Sequence, residues 1–186
     1  MVQRIKNVQP RSGQTRAAII SAVETLWKTR SFDTISVAEI AVEAGVAKGS
    51  VLAHFSEKLA ILAEFLGRAL DQATSDLECD GDFARNAQSL AGSIRPLLAY
   101  LLRDKALLRL LTTDGDEGQC HDILDPALLR LRGALASGFA TAQLDDPDLC
   151  ADVFIALVVQ VVVSGHVTDA DEAQQELGRL ASILYR

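Results

Sequence analysis

Between Ser36 and Phe55 the chain spells out two short helices joined at a glycine, and few folds accommodate that pattern. Ser36-Val37-Ala38-Glu39 has the form of a capping box. In that motif the serine hydroxyl accepts from the amide of the fourth residue, and the glutamate carboxylate accepts from the serine amide. A helix follows with Val37, Ile40, Ala41 and Ala44 on its inner side. Gly45 ends it, because glycine enters the left-handed region at little cost. A second helix starts after Ala47 and runs to about His54. Ile40, Ala44, Val46 and Val51 fall where two steeply crossing helices touch, and Ala41 is small at the crossing point. This is the pattern of a helix-turn-helix.

The flanks extend it. From Thr15 to near Arg30, Ile19, Val23 and Leu26 share one face, widened by Ile20 and Trp27. Phe32 is placed to pack back as a loop anchor. Ser56 is positioned to cap a longer helix over about 57–78. Further helices are predicted over about 83–102 with a kink at Pro96, 105–112, 123–142, 148–166 and 171–185. Thr113 to Gln119 reads as a polar loop. Asp146-Pro147 and Asp169 mark two of the helix starts. The predicted fold is all-α. A flexible basic arm (1–12) precedes a three-helix domain (13–58), and a larger helical domain (59–186) follows.

Several function classes are disfavoured. The three cysteines, Cys79, Cys120 and Cys150, form no C-x-x-C pair and read as unpaired, buried thiols. Cys120-His121-Asp122 are adjacent and poorly placed to converge on one ion. With three histidines, no nucleophile motif and no glycine-rich phosphate loop, the sequence predicts no enzyme, metal or cofactor. The most apolar run, Phe154 to Val163, has ten residues, whereas a membrane span needs about 20. A soluble, cytoplasmic protein is expected. The net charge of −7 is unevenly spread: residues 1–60 carry +3 and the remainder −10. A mildly basic lobe on an acidic body would orient the molecule on a polyanion.

The segment from Thr15 to Leu62 resembles the DNA-binding domain of the TetR family of transcriptional repressors. The matching residues are Thr15-Arg16-x-x-Ile19, Ser36-Val37-x-x-Ile40-Ala41, Ala44-Gly45-Val46-x-Lys48-Gly49-Ser50 and His54-Phe55-x-x-Lys58. The resemblance implies a homodimer whose N-terminal domains bind a palindromic double-stranded DNA operator. It also implies a C-terminal domain that dimerises and binds a small-molecule inducer. Three residues depart from the family's habit: Ala47 replaces a capping Ser or Thr, Leu52 a frequent Tyr, and Ala53 a frequent polar residue. They keep open an alternative, a helical interaction or ligand-sensing module of the same fold with weak or lost DNA binding.

Lys48 and Lys58, in the first turns of their helices, are candidates for phosphate contact. Gly49 and Ser50 face the groove at the front of the reading helix. Ser36 offers a hydroxyl to the DNA backbone or serves as a cap alone. His54 either binds phosphate or packs beside Phe55. In the second domain, Tyr100, Thr112, Phe139 and Gln160 are candidate ligand-lining groups, and an apolar inducer fits the aliphatic composition. The helix over 148–166 is apolar nearly all round. Its Phe154, Leu157, Val158, Val161 and Val162, with Leu177, Leu180 and Leu184 of the last helix, are candidates for a two-fold interface. The other possibility is a central core helix in a monomer.

Overall fold

A computed structural model describes residues 10–112 and 119–185, and among these all regular structure is helical. It divides into two compact units between Ile61 and Leu62. The first holds α1 (Pro10–Trp27), α2 (Val37–Glu43), α3 (Lys48–His54) and the first turn of α4 (Lys58–Cys79). The second holds the rest of α4, then α5 (Ala87–Ser93), α6 (Arg95–Leu102), α7 (Lys105–Thr112), α8 (Gln119–Thr141), α9 (Pro147–Val163) and α10 (Ala170–Ala181).

Local signals set many of these boundaries. Ser36 caps α2, and both halves of the capping box form: Glu39 N donates to Ser36 Oγ (3.2 Å) and Ser36 N to Glu39 Oε2 (2.8 Å). Gly45 has φ +66°. The amides of Gly45 and Val46 donate to the carbonyls of Val42 and Ala41 (3.1 and 2.9 Å), which closes α2 in a Schellman motif. Asp146 caps α9 ahead of Pro147, and Asp169 caps α10 through two amides.

Other boundaries differ from expectation. Helix α1 starts at Pro10, inside the segment expected to be a flexible arm, and ends at Trp27. Proline is well tolerated in a first turn, where its missing N–H leaves no bond unmade. Residues 1–9 of that arm lie outside the described residues. The single kinked helix expected over 83–102 is a short 3-10 turn and two α-helices, broken at Ile94. Pro96 starts the second of these instead of bending one long helix, for the same reason. Of the expected loop, residues 113–118 lie outside the described residues and Gln119 already opens α8. Helix α10 ends at Ala181, and Ser182–Tyr185 tightens into a 3-10 turn.

In the first unit the core is Ile19, Val23 and Trp27 of α1 against Phe32, Ile35, Ile40, Val51 and Phe55, all buried. Trp27 and Phe32 meet edge to face, with centroids 5.9 Å apart. In the second unit α8 and α9 pack together, and α10 packs on α5, α6 and α9. Gly138 of α8 permits a close approach there, since a Cβ would overlap the ring of Phe83. Tyr185 Oη donates to the carbonyl of Ala84 (2.9 Å), and burial pushes its phenol up to about 12.

Candidate nucleic-acid interface and effector cavity

The scaffold of the first unit fixes α3. Val51 and Phe55 are buried on its inner side, so Lys48, Gly49, Leu52 and Ala53 are left exposed. Ser50 and His54 are half-buried at the edges of that face. Two cations brace the unit. Arg16 lies over the Phe55 ring at 4.4 Å and donates through Nη1 to the carbonyl of His54, the last residue of α3 (3.3 Å). Lys58 lies over the Phe32 ring at 4.6 Å, and its Nζ donates to the carbonyls of Phe32 (2.6 Å) and Asp33 (3.1 Å). A cation at a helix C-terminus also answers the negative end of the helix dipole. Arg30 joins α2 to the preceding loop, donating to Glu39 Oε1 and to the Thr34 carbonyl (both 2.6 Å). The bond from Arg30 and those with Ser36 hold the Glu39 carboxyl down at about 2.

The structure thus gives the expected DNA-facing residues different surroundings. Lys48 and Gly49 are exposed, and a Cβ at Gly49 would meet nothing within 4 Å. Ser36 has its hydroxyl in the cap. Lys58 is half-buried and bonded within its own unit, which adds a stapling role not expected from sequence. The Arg16–Phe55 and Lys58–Phe32 pairs were missed because each joins residues more than twenty positions apart. Arg16, Phe32, Phe55 and Lys58 each stood out in the sequence, but no spacing paired the cations with the rings.

The second unit contains a cavity of about 40 Å³. Its walls include Leu66 and Leu70 of α4, Leu97 and Leu101 of α6, Leu131 and Leu135 of α8, and Phe154 and Val158 of α9. Every lining side chain is aliphatic or aromatic hydrocarbon. The space would suffice for a water, but the lining side chains offer none of the polar partners one needs. Drug-sized ligands occupy roughly 300–1,000 Å³, so a ligand here requires the leucines to change rotamer.

None of the ligand-lining candidates lines this cavity. Tyr100 is half-buried elsewhere, and Phe139 is fully buried, edge to face with Phe154. Gln160 is exposed, because an amide in an otherwise apolar helix turns to solvent. The side chain of Thr112 lies outside the described residues. The interface candidates also divide. Phe154, Val158, Val161, Val162 and Leu177 are buried within the single chain. Leu157, Leu180 and Leu184 are half-buried. The thiols differ from expectation too: Cys150 is buried, Cys120 half-buried and Cys79 exposed. Burial pushes the Cys150 thiol up, and its Sγ–H donates to the Asp145 carbonyl (3.3 Å). Among the described residues no group of His, Cys, Asp or Glu is arranged to hold a metal, and no helix is long and apolar enough to cross a membrane.

Among the described residues the chain is all-α, with a helix-turn-helix head and a second helical unit around an apolar cavity. Residues 19–65, a quarter of the chain, match the model described as bacterial regulatory proteins, tetR family. The HTH-type transcriptional repressor BepR of Brucella suis biovar 1 (strain 1330) is 34% identical over 65 residues, covering 35% of this chain and 31% of BepR. The fold as a whole is similar to that of RolR in its complex with resorcinol. There the TM-score is 0.68 at 23% identity, covering 93% of this chain and 88% of that one. It is also similar to Thermus thermophilus FadR, a TetR family repressor in complex with lauroyl-CoA. The TM-score is 0.64 at 20% identity, covering 89% and 92% of the two chains.

Proposed function

We propose that the chain is a homodimeric transcriptional repressor that binds a palindromic operator and releases it on taking up an apolar small molecule. The observation that carries this reading is the α2–α3 helix-turn-helix, whose buried side is fully packed while Lys48, Gly49, Leu52 and Ala53 remain exposed. Two such helices entering successive major grooves would lie about 34–36 Å apart, which requires a two-fold pair. The outward face of α9 supports a pair: Leu149, Ala156, Gln160 and Val163 are exposed at helical spacing, and Ile183 is exposed just past α10. Lys48 and Ser50 are placed to meet phosphate and base edge, with Ser36 and His54 at the margin.

The all-hydrocarbon cavity supports an aliphatic effector. A phenolic ligand would leave its hydroxyl unpaired there, at a penalty of about 1–3 kcal/mol. An effector that binds better when the head is off DNA lowers operator affinity by the same factor that operator lowers its own. A second reading, a head of this fold that binds a protein, draws on Val42, which is 83% exposed on α2.

Fluorescence anisotropy with duplexes spanning the region upstream of the gene, over a salt series, separates the two. The repressor reading expects sequence-selective binding that weakens with salt and is reversed by an aliphatic ligand. Equal affinity for all duplexes at every salt would sink it.

A further inference from the structure

The exposed side of α3 has few hydrogen-bonding groups. Of the four exposed residues only Lys48 carries one, and it is a donor alone. Leu52 is 46% exposed although it is a large apolar residue on a helix whose neighbours Val51 and Phe55 are buried. Ala53 lies beside it, also exposed. Neither packing in the head nor a bond to phosphate accounts for a leucine at this place.

The major groove offers one apolar edge group, the C5 methyl of thymine; every other base edge there presents donors or acceptors. From this, and resting on the DNA-binding reading above, we propose that Leu52 with Ala53 is a specificity determinant that recognises thymine methyl in each half-site. Ser50, half-buried at the edge of the same face, supplies the polar part of the code, while Lys48 meets phosphate. Leu52 stands one turn beyond Lys48, about 6 Å along the axis. That is about two base steps at 3.4 Å each, so the thymine falls within about two positions of the phosphate met by Lys48. Gly49 adds no side chain between them, and a Cβ there would meet open space within the protein.

The test starts by selecting duplexes from a random pool with the full-length protein. Each thymine of the selected half-site is then replaced by deoxyuridine, which removes the methyl and leaves base pairing intact. The expected result is one thymine per half-site whose replacement weakens binding about 4-fold, the fold-change that burying one methyl-sized group carries. Leu52→Ala should bind the thymine and deoxyuridine duplexes with a ratio near one while melting like wild type, since the side chain is exposed. Leu52→Gln should do the same and select a different base at that position. Selective binding with no deoxyuridine effect, or an effect that survives Leu52→Ala, overturns the proposal while leaving DNA binding intact. No sequence-selective binding at any salt overturns both, and would make Leu52 a contact for a protein partner instead.

Discussion

The two units use their cations differently. In the second unit arginines pair with carboxylates between helices: Arg132 with Asp148 and Asp152 (2.8 and 2.6 Å), Arg130 with Asp71 (2.6 Å), Arg95 with Asp171 (2.7 Å). In the head, Arg16 and Lys58 lie over phenylalanine rings and donate to backbone carbonyls. The head has a carboxylate pair as well, Arg30 with Glu39 (2.6 Å), but adds the two ring-and-carbonyl contacts to it. A cation over a ring that also donates to a backbone carbonyl ties a side chain to both the core and the main chain.

Replacing Lys58 breaks the comparison most directly. Lys58→Ala removes two charge-assisted bonds to backbone carbonyls and the contact with Phe32. It should destabilise the protein by about 2 kcal/mol in urea melts. Full stability with weakened DNA binding would make Lys58 a phosphate ligand rather than a staple. Gly49→Ala should separate fold from interface. It should stabilise α3 by about 0.5–1 kcal/mol, since the added Cβ meets open space. It should also weaken operator binding if α3 closes on DNA at that point. Improved binding together with improved stability would remove Gly49 from the interface.

Smaller effects sharpen the contrast. Arg132 is half-buried but its partners Asp148 and Asp152 are exposed, so Arg132→Ala should shift the melt less than Lys58→Ala, and the shift should vanish in about 1 M salt. The Lys58→Ala effect should persist there. The smallest effect is at Glu39. Its carboxyl is held at about 2 against 4.5 for an unconstrained glutamate, chiefly by Arg30 and then by Ser36. A lowered value means its stabilisation is present above about 4.5 and is lost as pH falls toward 2. A carboxyl carbon titration by NMR should show a midpoint near 2, and a midpoint near 4.5 would mean that the capping box and the Arg30 bond are absent in solution.

The helix-turn-helix was legible because its signals are local. Ser36 and Glu39 are three residues apart, and Gly45 marks its own turn. The same holds for Asp146-Pro147 and Asp169. Pro96 was ambiguous, since proline marks either a kink or a start. Helix α9 was harder because a helix apolar all round has no phase. Val158, Val161 and Val162 point inward and Val163 outward, yet all are valine. Gln160 was the one phase marker in that run, and it marks the outer face. The cavity left no trace, since a leucine beside a void and a leucine in a filled core have the same spacing.

Lys48 tests the central claim, that the head uses Arg16 and Lys58 as scaffold and leaves the face of α3 for DNA. Operator binding of wild type and Lys48→Ala should be measured over a salt series, alongside their melts. The account predicts an unchanged melt and a log–log salt slope reduced by about 1 per head. An unchanged slope, or a loss of stability like that expected for Lys58→Ala, would contradict it.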